Sequence, residues 1–236
     1  MVSATQGRPF PLWQSLAAAV GAMAAAFVGA IAVGIPTVMA LGVPKNPGDV
    51  GANVIEAGFY LAGAAALIPL LERLSRRSLR SLGVAPLGVR GWQLVAAALL
   101  LVLALQFAYQ LVLDAFHQQN HVQAGFQHFG VHSPLAVTMV LVTGAVIAPI
   151  VEELFFRGLL FNAFAVRMPV YAAALLSGIL FGLAHGDPVL FPALAAFGFI
   201  QAIVYRIGGN LVVPMIVHAA NNALFLSLMM AVPGFH

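Results

Sequence analysis

Between residues 152 and 222 the chain places two carboxylates, a guanidinium, two imidazoles and a carboxamide on otherwise apolar segments. Glu152, Glu153 and Arg157 lie in Val-Glu-Glu-Leu-Phe-Phe-Arg, His185 closes Phe-Gly-Leu-Ala-His from Phe181, and His218 and Asn222 bracket His-Ala-Ala-Asn-Asn. A charged group in hydrocarbon costs at least about 2.5 to 3.5 kcal/mol on insertion scales, so such groups are functional candidates. On a helix, Glu153 and Arg157 are four apart and share a face, with the carboxylate ahead of the cation, the favourable order for an ion pair. Glu152 points about 100° away and is left to act as a base. His218 and Asn222 share a face by the same spacing. A Glu, two His and an Asn at one depth could deprotonate a water and stabilise an oxyanion, the equipment for hydrolysing an amide.

The elements that must carry these groups are membrane helices. The chain has 236 residues, 62% of them hydrophobic and only 7% charged, against about 25% charged in a soluble domain. The composition predicts an all-α, polytopic transmembrane helical bundle, a single integral membrane domain over residues 1–236 with its motif-bearing catalytic half at 134–232. Apolar runs broken by Pro, Gly and charge predict about seven spans (six to eight): 12–41, 51–71, 92–113, 134–165, 168–185, 188–206 and 210–232. The fourth is long for one crossing, and Gly186 and Asp187 alone separate the fifth from the sixth, so a split or re-entrant helix would change the count. At about 1.5 Å per residue, counted from the turns near 167 and 208, Glu152 lies roughly 22 Å up, His185 27 Å, His218 15 Å and Asn222 21 Å. These depths overlap given some tilt or an early end to the fifth helix.

Basic residues suggest the orientation. The segment from Glu72 to Arg90 holds Arg73, Arg76, Arg77, Arg80 and Arg90 and is expected to stay in the cytoplasm. The N-terminus is then cytoplasmic too, in the cell (inner) membrane. Arg167 and Arg206 fall in cytoplasmic turns, and Lys45 in an outer loop. A net charge of +3, scattered among apolar runs, gives no nucleic-acid footprint. The absence of Cys excludes disulfides, thiolate zinc sites and a cysteine nucleophile.

The three motifs together, Glu-Glu-x-x-x-Arg, Phe-x-x-x-His and His-x-x-x-Asn in this order on successive hydrophobic segments, resemble the CPBP family. That is the CAAX protease and bacteriocin-processing, or Abi, family, which includes the eukaryotic type II CAAX prenyl endopeptidase. The likeness spans residues 152–222; residues 1–130 match only in being hydrophobic. It implies an intramembrane endopeptidase with a conical cavity open to the cytoplasm. Glu152 and His185 would activate the water, His218 and Asn222 would hold the oxyanion, and Glu153, Arg157 and Phe181 would keep the site in shape. Glu152, His185 and His218 could instead supply three zinc ligands. A neutral Asn beside His218 suits an oxyanion hole better, which favours a metal-free glutamate mechanism slightly. The Ala-rich chain looks bacterial and prenylation is eukaryotic, so the implied partner is a peptide or membrane-anchored protein substrate in the lipid bilayer.

Two other classes compete: a proton-coupled transporter using the buried Glu and His as a relay, and a catalytically inactive membrane scaffold. No inverted repeat favours the first; the full motif set speaks against the second. His117, His121, His128 and His132 form two i, i+4 pairs that could clasp a metal, though an interfacial segment resting on Phe116, Phe126 and Phe129 is the simpler expectation. Glu56 is expected to snorkel to the outer interface. The arginines at 73, 76, 77 and 80 could attract anionic lipid, and Trp13, Trp92 and Tyr109 are expected as interface anchors.

Overall fold

The computed structural model describes residues 12–45, 48–75, 82–118 and 133–231. Arg8, Arg76, Arg77, Arg80, His121, Phe126, His128, Phe129 and His132 lie outside the described residues. Every regular element among the described residues is helical. In chain order they are α1 Leu12–Leu41, α2 Val50–Ser75, α3 Val89–Ala115, α4 Pro134–Ala165, α5 Val170–Ala184, α6 Phe191–Gly208 and α7 Val212–Ala231. Six of these are long and apolar enough to cross a membrane, and α5 is shorter. The chain is a multi-pass membrane protein built as a helical bundle, and its packed interior draws on all seven helices.

Without a hydrophobic force between helices inside lipid, close backbone approach falls to small residues. Helices α1 and α2 form an antiparallel hairpin in which Gly63 faces the Ala26 methyl and Gly58 faces Val33. The tightest crossing is α5 on α6. A Cβ at Gly178 would stand 2.5 Å from the Ala195 carbonyl oxygen, and one at Gly198 2.8 Å from the Gly178 Cα. Any larger residue there would force the helices apart.

Helix α4 stays continuous over its whole length, so the split that its 32 residues suggested does not occur. Two wider π turns, Thr143–Ile147 and Leu154–Phe161, flank the α-helical stretch Ala148–Glu153 that carries both glutamates. Such turns loosen the regular hydrogen-bond ladder, and backbone polar groups inside a membrane still need partners. Side chains supply them. Asn222 Nδ2 donates to the Gly144 carbonyl at 2.9 Å, Asn162 Nδ2 to the Arg157 and Gly158 carbonyls at 3.0 and 2.9 Å, and Ser177 Oγ to the Phe156 carbonyl at 3.1 Å.

The connection between α5 and α6 is longer than the two residues expected. Gly186 adopts a left-handed φ of 66°, and Asp187 Oδ1 accepts from the backbone N–H of Val189 and Leu190 at 2.9 and 3.0 Å. That side-chain turn holds residues 188–190 out of the helix, so α6 begins at Phe191. Its loop also takes the hydroxyl of Tyr109, which donates to the Val189 carbonyl and ties α3 to this loop. Trp13 and Trp92 are 79% and 55% exposed. At the other end, Gly83 (φ 80°) packs on Gly209, and Asn210 Nδ2 donates to the Ala85 carbonyl at 3.0 Å. The loop before α3 and the turn between α6 and α7 therefore share one end of the bundle.

Candidate active site

Arg157 is the largest fully buried side chain among the described residues, and both of its Nη nitrogens find acceptors while Nε is buried without a hydrogen-bond partner. Its Nη1 donates to Glu153 Oε1 at 2.8 Å, closing the i, i+4 pair, and its Nη2 donates to the Gly198 carbonyl at 2.9 Å. The glycine crossing of α5 and α6 is what brings that carbonyl so deep. The guanidinium also stands 4.9 Å from the ring centre of Phe181 and 5.8 Å from that of Phe156, cation–π contacts that gain weight away from water. Neither Glu153 nor Arg157 has any exposed surface. Two charges so buried persist only as a pair with further hydrogen bonds.

The same Glu153 oxygen accepts a second hydrogen bond, from His218 Nδ1 on α7 at 2.9 Å. An ionised carboxylate only accepts, so His218 carries its proton on Nδ1 and turns Nε2 towards Glu152, whose Oε2 lies 3.9 Å away. The imidazole is packed edge-on between Phe181 and Phe197, at centroid distances of 5.6 and 5.0 Å. Glu153 thus both pairs with Arg157 and orients His218.

His185 is delivered by the shortness of α5. Fifteen residues span about 22 Å, less than the roughly 30 Å of hydrocarbon, and the helix end leaves its last carbonyls in need of donors. His185 Nδ1 meets one of them, Phe181 O, at 2.8 Å. A carbonyl only accepts, so this nitrogen is again the N–H. The ring rests against Phe181 at 4.6 Å, which makes Phe181 the floor shared by both imidazoles and the guanidinium.

Glu152 and His185 line one cavity of about 370 Å³, walled by Ala22, Met23, Ala26 and Phe27 of α1, by Phe59, Tyr60, Gly63 and Leu67 of α2, and by Val151, Phe155 and Phe156 of α4. Its polar groups are few, and the rest is apolar. Glu152 Oε1 accepts from the Tyr60 hydroxyl at 2.6 Å, and Oε2 is buried without a hydrogen-bond partner. Neither His218 nor Asn222 is among the residues that line this cavity, and Asn222, one turn beyond His218, is tied to the Gly144 carbonyl.

Residues 134–224 match the family described as type II CAAX prenyl endopeptidase Rce1-like. The matched segment is similar to that family and makes up less than half of the chain. A Bacillus subtilis (strain 168) protein described as "Putative membrane peptidase YdiL" is 30% identical over 98 residues, 42% of this chain and 40% of that relative. The chain thus aligns with less than half of the relative's length. No solved structure matches. The Rce1-like segment holds α4 to α7 almost entire, whereas the α1–α2 wall of the cavity falls outside it.

The three side chains considered as zinc ligands do not assemble as a ligand set. Among the described residues no three His, Asp or Glu side chains gather at a spacing that would hold a metal ion. Sequence reasoning missed Tyr60, although it stands four residues after Glu56 on the same helical face, and it missed the Gly198 carbonyl, which no side-chain pattern announces.

Proposed function

We propose that the protein is an intramembrane endopeptidase that hydrolyses a peptide bond in a peptide or membrane-tethered protein, prenylated or not, by a metal-free glutamate mechanism. The observation that carries this reading is Glu152, which lines a largely apolar cavity and whose buried Oε2, without a hydrogen-bond partner, stands 3.9 Å from the Nε2 of an imidazole fixed from behind. A carboxylate in that setting is a general base within one water of its neighbour. The match of residues 134–224 to the Rce1-like endopeptidase family supports peptide-bond hydrolysis.

Glu152 takes a proton from a water as its oxygen adds to the carbonyl carbon, and the π electrons move onto the carbonyl oxygen. His218, donating from Nε2 when protonated, and Asn222, through the second N–H of its carboxamide, receive that negative charge. His185 holds the water with Glu152. Collapse of the tetrahedral intermediate breaks the C–N bond, and the proton on Glu152 passes to the leaving nitrogen, giving a carboxylate and an amine. Glu153 and Arg157 keep His218 in register, and Phe181 supports both rings.

Residues 1–236 act as one integral membrane domain, with residues 134–232 as the catalytic half. The N-terminus lies in the cytoplasm of a cell whose inner membrane holds the bundle. Arg90 and Arg206 flank the two loops that share one end of the bundle, which supports this orientation by the positive-inside rule.

The test compares membrane proteins and released peptides from cells carrying the wild-type chain with those carrying Glu152→Gln. A cleavage product that disappears with Glu152→Gln, and also with His185→Ala, supports hydrolysis. Identical profiles would contradict it and send attention to transport or scaffolding.

A further inference from the structure

The α1–α2 hairpin lies outside the segment shared with the Rce1-like family, yet it touches the centre of the site. Tyr60 on α2 donates to Glu152 Oε1 at 2.6 Å across 92 residues of sequence. A hydrogen bond this short to a carboxylate is charge-assisted and stronger than a neutral one. The tyrosine is itself held in place: its ring meets Phe59 edge-on at 5.4 Å, and Phe59 meets Phe27 of α1 in the same way at 5.4 Å. On either side of Tyr60, α2 is seated on α1 through Gly58 against Val33 and Gly63 against Ala26. Tyr60 is therefore a donor on a rigid wall.

We infer that Tyr60 is a positioning residue for Glu152, engaging Oε1 so that Oε2 is kept turned towards His218 and serves as the base. This rests on the endopeptidase reading. A carboxylate held by no donor can turn about its last carbon–carbon bond and present either oxygen in several directions. With Oε1 engaged from α2, the two oxygens become unequal: one is anchored, and the other sits unpartnered 3.9 Å from His218 Nε2. No other described hydrogen bond fixes Glu152. The wall contributed by α1, Ala22, Met23, Ala26 and Phe27, offers it no polar group. The N-terminal hairpin thus completes the site, and the shared segment by itself would lack the anchor.

The test uses the purified full-length chain and a quenched fluorescent peptide spanning the cleavage site mapped by the cellular comparison. Tyr60→Phe keeps the ring and removes only the hydroxyl. The expected result is a kcat lower by about tenfold to a hundredfold, the worth of one hydrogen bond to a charged group, with KM unchanged. In a Glu152→Asp background, where the carboxylate is drawn back from α2, Tyr60→Phe is expected to cost nothing more. Tyr171→Phe, exposed at the far end of α5, serves as the control and leaves both constants as they were. Equal kcat for Tyr60→Phe and wild type would overturn the inference, as would a change confined to KM, which marks a wall residue. A cellular comparison showing no product lost with Glu152→Gln would overturn the endopeptidase reading, and this inference with it.

Discussion

His218 Nδ1 lies 2.9 Å from Glu153 Oε1, the same oxygen that accepts from Arg157. One carboxylate atom therefore couples a buried cation on α4 to the aim of an imidazole on α7. The consequence is that residues which never border the cavity should govern activity as strongly as those that do.

Glu153→Gln tests this coupling. The carboxamide can still fill the space, but it no longer fixes the ring with an ionised acceptor, and it leaves Arg157 without its counter-charge. We expect kcat to fall by about a hundredfold, the usual cost of misplacing a catalytic group by an ångström, while KM for the cleaved peptide stays near its wild-type value. Steady-state kinetics on the mapped substrate check it.

Arg157→Met leaves Glu153 as an uncompensated charge in the interior. Breaking a buried pair from one side destabilises by about 3 to 5 kcal/mol, so the unfolding midpoint in detergent should drop by many degrees. The double variant Glu153→Leu, Arg157→Met should recover much of that stability without recovering activity. Equal midpoints for Arg157→Met and wild type would show that the pair carries little weight.

At the α5–α6 crossing, Gly178→Ala adds a methyl 2.5 Å from the Ala195 carbonyl oxygen. Overpacking of this kind costs about 1 to 3 kcal/mol, and the displaced α5 takes His185 with it. Lower thermal stability and lower kcat should appear together. Gly21→Ala, at a position with nothing within 4 Å of its added carbon, should show neither.

Asn222→Ala distinguishes an oxyanion donor from a backbone prop. As a donor to the tetrahedral intermediate it should cost about a hundredfold to a thousandfold in kcat. As a partner of Gly144 alone it should lower stability and leave kcat close to wild type in the folded fraction.

Metal analysis bears on the mechanism directly. The purified active chain is expected to hold well under one zinc per molecule after dialysis, and chelators should leave its rate unchanged. About one zinc per chain, lost in His185→Ala, would replace the glutamate mechanism with a metal-assisted one.

The apolar runs made the helices readable because each must be long enough to span lipid and each ends where Pro, Gly or charge intervenes. The start of α6 was displaced because Asp187 spends its carboxylate on a turn, a local choice that hydrophobicity does not report. The pairing of Glu153 with Arg157 was readable because it is intrahelical and obeys i, i+4 spacing. The bond from Glu153 to His218 was not, since it joins residues 65 apart and depends on how α4 and α7 rotate past one another. The π turns of α4 alter that rotation without leaving a sequence mark. Tyr60 was missed for a related reason: a lone tyrosine in an apolar span looks like packing until the helix facing it is known.

The most direct test of Glu152 as the base is to run the purified chain on its mapped peptide in water enriched in oxygen-18 and weigh the new C-terminal fragment. One heavy oxygen in that carboxylate with wild type, and no fragment with Glu152→Gln, is the predicted result. A fragment formed at the wild-type rate by Glu152→Gln would contradict the assignment.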